Sequence, residues 1–152
     1  MKKLVISLLR RNDRKKSWQY NNLLDFEYIR AVDGDNSHFR FLKGKDNWTD
    51  PFQNRPLQQN EVACFMSHIM AWNKCIELHK TCIIMEDDAV INDTWDEDYY
   101  AEVMKEHDFL YLQRNENEPD KVISVDEKLE IPNYPYNMTA YCITPDMARI
   151  LV

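Results

Sequence analysis

Glycine is nearly missing from this chain: Gly34 and Gly44 are the only two in 152 residues. A P-loop and a GxGxxG dinucleotide turn each need several glycines in one short loop, and a G-x-S-x-G nucleophile elbow needs two around a serine, so all three are excluded. A phosphorylated ligand would have to be neutralised another way, and a carboxylate-held metal is the obvious substitute. Positive charge is also in deficit. Nineteen Lys and Arg face 26 Asp and Glu, a net charge of -7, which argues against a nucleic-acid partner. The four cysteines, Cys64, Cys75, Cys82 and Cys142, show no C-x-x-C spacing. Cys64 and Cys75 fall within a helical pattern and read as buried free thiols. No apolar stretch approaches the ~20 residues of a transmembrane segment. Arg10 and Arg11 stop the run Leu4–Leu9 short of a signal peptide. The expectation is a reduced, soluble, cytoplasmic chain.

What is present is the balance of one soluble globular domain spanning residues 1–152, with 44% hydrophobic and 30% charged residues. Leu4 to Leu9 reads as a fully buried strand, and Asn12 or Asp13 caps a helix through Leu24. Glu27 to Val32 reads as a second strand ending in the turn signal Asp33-Gly34. Asp35 to Pro56 reads as one long loop. Gln58 to His79 is the clearest helix. Val62, Phe65, Ile69, Trp72 and Ile76 share one face of it. Glu61, Cys64, His68, Ala71 and Cys75 fill the next sector, which predicts a helix buried on most sides. Glu61 and His68 lie in that buried sector and need partners, each other included. Cys82 to Met85 reads as a buried strand, Glu97 to His107 as a helix and Phe109 to Leu112 as a strand. Val122–Val125 and Lys128–Ile131 read as a hairpin around Asp126-Glu127. Ala140 to Ile143 is a last strand, before a helix opened by Thr144-Pro145-Asp146. That helix reaches Val152 after about two turns, which suggests that a carboxyl-terminal portion is missing. Strands alternating with helices predict an α/β fold with a mostly parallel sheet flanked by helices.

The chemistry-bearing pattern is Glu86-Asp87-Asp88 at the exit of an apolar strand, the edge where open α/β sheets bind ligands. Alternation along an extended chain puts Glu86 and Asp88 on one side and Asp87 on the other. Two hard oxygen ligands converging there suit Mg²⁺ or Mn²⁺. No neighbouring Lys or Arg in the sequence offsets the three acids. The amino end carries the opposite charge. Arg10, Arg11 and Arg14 follow the first strand and can reach the same edge, where arginine could clamp a diphosphate or stack on a base.

The blocks Leu4–Arg14, Ala31–Gly34, Glu61–His68 and Ile84–Ala89 occur in order, with Asp108–Leu112 and Ala140–Thr144 after them. Together they resemble the family-25 glycosyltransferases, which include lipooligosaccharide and procollagen galactosyltransferases. The chain departs from the family at Ala63, where a glycine is usual. The resemblance implies a GT-A-like domain that uses a divalent metal, Mn²⁺ or Mg²⁺, to bind a UDP-sugar and transfer a hexose, galactose above others, with inversion. Its acceptor would be a glycan, a lipooligosaccharide or another lipid-linked saccharide, which makes peripheral attachment at the inner membrane face a variant of the cytoplasmic reading. It implies Glu86-Asp87-Asp88 as the DXD-type motif, with Asp88 as metal ligand and Glu86 assisting or touching the ribose. Arg10, Asp13, Arg14 and Asp33 would line the nucleotide pocket, and His68 and Glu61 would support it. No residue is assigned as the general base on the acceptor. The other reading is an inactive nucleotide-sugar-binding remnant of such an enzyme.

Overall fold

The structure, a computed structural model, describes residues 1–20, 25–35, 49–50, 54–91, 94–112, 122–124, 130–132 and 138–152. The chain runs β1 (Lys2–Ser7), α1 (Asn12–Tyr20), β2 (Phe26–Arg30), β3 (Thr49–Asp50), β4 (Arg55–Pro56), α2 (Gln59–Leu78) and β5 (Cys82–Glu86). It continues through α3 (Glu97–Val103), β6 (Phe109–Tyr111), β7 (Val122–Ser124), β8 (Glu130–Pro132), β9 (Ala140–Ile143) and α4 (Pro145–Leu151). Five strands form one sheet in the order β2-β1-β5-β9-β6. β1 pairs in parallel with both β2 and β5. β9 lies antiparallel between β5 and β6, so it alone is reversed. The expected α/β architecture is therefore present, and it is consistent with a GT-A-like fold.

The centre of the sheet is where continuous apolar runs belong, because both faces are covered. On one face Leu4, Ile6, Ile84, Tyr141 and Ile143 pack with Ala71, Trp72 and Cys75 of α2 and Ala148 of α4. On the other, Val5, Ile83, Met85 and Cys142 pack with Met104, Tyr100 and Trp95 at and around α3. Each fully buried aliphatic side chain here contributes about 1.5–3 kcal/mol of transfer free energy. The layers are helix, sheet, helix.

Several boundaries move from the sequence reading. β1 ends at Ser7 because the chain turns there, with the Arg11 amide donating to the Leu8 carbonyl at 3.0 Å. Within the expected loop from Asp35 to Pro56, β3 and β4 form a short antiparallel pair. Residues 36–48 and 51–53, like the predicted end of α1 at Leu24, lie outside the described residues. The predicted hairpin forms as β7 against β8, with Val122, Ile123 and Ser124 opposite Pro132, Ile131 and Glu130. Its turn at Asp126-Glu127 also lies outside them. At α4 the sequence signal is met in detail, with the Thr144 hydroxyl accepting from the Met147 amide at 3.2 Å and Pro145 in the first turn.

Helix α2 corrects the predicted facing. Its buried residues are Ala63, Ser67, His68, Ala71, Trp72 and Cys75. Small side chains let the helix approach the sheet closely along the Ser67/Ala71/Cys75 row, and from the predicted face Trp72 is buried beside it with Ile69 and Ile76 packed against the core. Phe65 and Met70 are exposed, and so is the Cys64 residue, so the helix is not buried on most sides. Glu61 is not buried with His68 either. It closes a capping box at the helix start, accepting from the Gln58 amide at 2.6 Å, and pairs with Arg55 through two contacts of 2.5 and 2.8 Å. The Arg55 guanidinium and the Gln58 amide hold the Glu61 carboxyl at about 2, below its ordinary 4.5. A depressed carboxylate pKa contributes stability that is complete above the unfolded value and is lost as pH falls through the folded one. Glu61→Gln, which keeps the hydrogen bond but not the charge, is therefore expected to flatten the acid limb of a stability profile between about pH 4.5 and 2. Urea unfolding at several pH values checks this. No helix among the described residues is long and apolar enough to cross a membrane.

Candidate functional site

β1 and β5 are adjacent and parallel, so their carboxyl ends open on the same edge of the sheet. The end of β1 and the chain beyond it deliver Ser7, Arg10 and Arg14 to this edge, and the end of β5 and the turn beyond it deliver Glu86, Asp87 and Asp88. A cavity of about 240 Å³ lies here, with Arg10, Asp33, Gly34, Cys64, Glu86 and Asp87 among its walls. Gly34 is required for space rather than for an unusual backbone angle. A Cβ there would stand 2.7 Å from the Asn60 side-chain oxygen and 3.3 Å from the Ala63 Cβ. The alanine at position 63 thus sits directly against the loop that follows β2.

The three consecutive acids do not alternate, because the strand ends at Glu86 and Asp87-Asp88 form a turn. Asp87 turns inward. Its Oδ2 accepts from the buried Ser7 hydroxyl at 2.8 Å and its Oδ1 from Arg14 Nη1 at 2.6 Å. The same Arg14 nitrogen donates to Asp88 Oδ2 at 3.1 Å. The expectation that no Arg offsets the acids is thereby corrected. Arg14, remote in sequence but carried here by α1, bridges two of them, and its own pKa is raised by the Asp87 hydrogen bond. Asp88 remains half-exposed, while Asp87 is covered.

Glu86 takes a separate environment. Its Oε1 lies 3.2 Å from His68 Nε2 and 3.4 Å from Cys64 Sγ. The His68 hydrogen bond holds the Glu86 carboxyl below its ordinary value against the opposing effect of burial. On the far side, His68 Nδ1 meets the Tyr141 hydroxyl at 2.8 Å, and that hydroxyl accepts from Trp72 Nε1 at 2.9 Å. Donor counting assigns the tautomer. An indole nitrogen can only donate, so the Tyr141 proton is left to point at His68 Nδ1, and the remaining ring proton sits on Nε2, facing the Glu86 carboxylate. The chain Trp72–Tyr141–His68–Glu86 is fully satisfied and fixes the direction of the carboxylate.

The other sequence-predicted residues divide. Arg10 reaches Asp33 through Nε at 2.9 Å and Asp35 through Nη2 at 2.9 Å, on the cavity rim, and it lowers the Asp33 pKa. Asp13 turns instead to Arg11, at 2.7 Å, which holds its carboxyl at about 2. Asp13 is not among the cavity walls, and Glu61 stays with Arg55. Sequence reasoning missed Ser7, Ser67, Trp72 and Tyr141. Ser67, buried in α2, accepts from the Val32 amide at 2.9 Å and donates to the Ala63 carbonyl at 2.7 Å, pinning the exit of β2 to the helix. The signal available was a polar side chain inside each apolar run.

An α/β domain with acids and arginines meeting at the carboxyl edge of its sheet has the form of a ligand-binding domain of the GT-A-like kind. Compared with known proteins, the chain matches the model of glycosyltransferase family 25, described as LPS biosynthesis protein, over residues 1–152, and it belongs to that family. It is 32% identical over 166 residues to a procollagen lysyl hydroxylase and glycosyltransferase of Acanthamoeba polyphaga mimivirus, covering 95% of this chain and 18% of that protein. It is 28% identical to human procollagen galactosyltransferase 2, over 97% of this chain and 26% of the relative. It is 30% identical to human inactive glycosyltransferase 25 family member 3, over 97% and 28%. The chain thus spans less than a third of the length of each of these relatives.

Proposed function

We propose that this domain transfers a hexose, galactose above others, from a UDP-sugar to a glycan or lipid-linked saccharide acceptor, in a reducing cytoplasmic setting. The observation that carries the reading is a cavity at the carboxyl edge of β1 and β5 walled by Arg10, Glu86 and Asp87, with Arg14 bridging Asp87 to Asp88 beside it. Membership in a family with galactosyltransferases among its relatives supports it.

The residues present fit a hard divalent cation. Asp88 is half-exposed, and the contacts of Glu86 with His68 and Cys64 both fall on Oε1. All-oxygen donors suit Mn²⁺ or Mg²⁺. Asp88 would hold the ion with help from Glu86, and the ion would supply Lewis-acid stabilisation of the diphosphate leaving group. Asp87 anchors the acid turn to β1 through Ser7. Arg14 sets the spacing of Asp87 and Asp88, and its guanidinium can turn to a diphosphate oxygen once a cation takes its place. Arg10, steadied by Asp33, presents a second guanidinium at the rim. The His68–Tyr141–Trp72 chain keeps Glu86 aimed into the cavity. In the transfer, the bond from the anomeric carbon to the diphosphate oxygen breaks and a bond to the acceptor oxygen forms. The acceptor proton passes to a base supplied outside the residues assigned here.

The test is UDP release from UDP-galactose with Mn²⁺. Asp88→Asn is expected to lower it by on the order of tenfold or more, the scale of one lost transition-state contact. Equal release by the variant would overturn the metal role of Asp88. The inactive relative favours a second reading, a domain that binds the donor without turning it over. Donor binding with no release above buffer, with or without glycan acceptors, would establish that reading instead.

A further inference from the structure

Cys64, His68 and Glu86 form a cluster of mixed donors in which one ligand atom from each lies within 4.8 Å of the others. Its geometry follows from the fold. Cys64 and His68 are four residues apart on α2 and so share a face, and β5 ends where that face passes over the sheet edge. A tetrahedral zinc ion has bonds of about 2.3 Å to sulfur, about 2.0–2.1 Å to imidazole nitrogen and about 2.0–2.2 Å to carboxylate oxygen. Those bonds require about 3.4 Å between nitrogen and oxygen ligands and about 3.6 Å between sulfur and oxygen. Here His68 Nε2 stands 3.2 Å and Cys64 Sγ 3.4 Å from the same Glu86 oxygen. The third edge, from Cys64 Sγ to His68 Nε2, also lies within 4.8 Å. Behind it, Tyr141 holds the far ring nitrogen of His68, the arrangement that orients imidazole ligands in metal sites. The cavity beside Cys64 and Glu86 leaves room for a fourth ligand.

We propose that Cys64, His68 and Glu86 form a binding site for a thiophilic divalent cation of the zinc type, distinct in donor chemistry from the all-oxygen site at Asp88. A thiolate and an imidazole select borderline-soft ions over Mg²⁺ and Mn²⁺. On loading, the Cys64 thiol proton goes to solvent. The proton on His68 Nε2 is exchanged for one on Nδ1, and the Tyr141 hydroxyl keeps its own proton but turns it away to accept from Nδ1, so one proton leaves per ion. Because the ion takes Glu86, its occupancy opposes any use of Glu86 toward a donor substrate. The site does not depend on the transferase reading, since its ligands and test stand without a sugar nucleotide.

The test is a Co²⁺ titration of the purified protein, following the near-ultraviolet thiolate-to-cobalt charge-transfer band. The expected result is a band that saturates at one Co²⁺ per chain, is displaced by Zn²⁺ and persists in a similar concentration of Mn²⁺. It should vanish in Cys64→Ala, a change at an exposed residue that leaves the core intact, and the affinity should fall at least tenfold in His68→Gln. Should His68→Gln fail to fold, Cys64→Ala decides alone. No band in the parent protein, a band retained by Cys64→Ala, or stoichiometric displacement by Mn²⁺ would each overturn the proposal. UDP binding with Mn²⁺ is measured separately, so failure of either site is distinguishable from failure of the other.

Discussion

Tyr141→Phe is expected to cost about 2–4 kcal/mol, because one oxygen serves two buried partners. The substitution removes the acceptor of Trp72 Nε1 and the donor to His68 Nδ1, both in the core. Each buried polar group left without a partner costs about 1–3 kcal/mol, whereas the volume lost is small. Phenylalanine retains the ring stacked on Phe109 at 5.0 Å, so the apolar packing survives. Urea unfolding of the two proteins measures the difference. The imidazole signals of His68 give a second readout, since without the tyrosine proton the ring is released from its single tautomer. A loss below about 0.5 kcal/mol, with an unchanged tautomer, would mean that the chain from Trp72 to Glu86 does not act as a unit.

Arg14→Ala is expected to lower stability by about 1–3 kcal/mol. The pair with Asp87 falls between the exposed limit, where ion pairs contribute little, and the buried limit, where an orphaned charge is expensive. Asp87 is covered, but Ser7 still donates to it, and Arg14 is only half-buried. The more informative consequence concerns cations. With Arg14 gone, Glu86, Asp87 and Asp88 are left as three neighbouring carboxylates without their bridging guanidinium. Mn²⁺ is therefore expected to raise the melting temperature of the variant more than that of the parent, and added monovalent salt should recover part of the loss. Equal Mn²⁺ responses would show that Arg14 and the cation do not compete for the acids.

The layers of this fold were legible because the central strands are short unbroken apolar runs, which only a doubly covered sheet accommodates. The acid turn was legible for the same reason, since three charges directly after Cys82–Met85 have to emerge at an edge. What was not legible is which partner each charge takes. Alternation placed Glu86 with Asp88, but the strand stops at Glu86, and a turn pairs Asp87 with Asp88 on Arg14. Periodicity on α2 placed Trp72 and Ile69 against the core correctly but Phe65 with them, which is exposed, while the closest approach to the sheet is made by the narrow row Ser67, Ala71 and Cys75. Glu61 looked buried by its angle on the helix, yet its place in the first turn gave it the amide of Gln58 and the guanidinium of Arg55. Tyr141 carried no sequence signal beyond a hydroxyl within a strand. Its role depends on α2 and β9 meeting, a contact between segments about 70 residues apart.

Calorimetric titration of UDP, with and without Mn²⁺, into the parent protein and Asp88→Ala tests most directly whether acids at this edge hold a pyrophosphate through a cation. The account predicts binding by the parent that strengthens at least tenfold with Mn²⁺, and no Mn²⁺-dependent gain in Asp88→Ala. UDP binding of equal strength without the ion, or an undiminished Mn²⁺ effect in the variant, would contradict it.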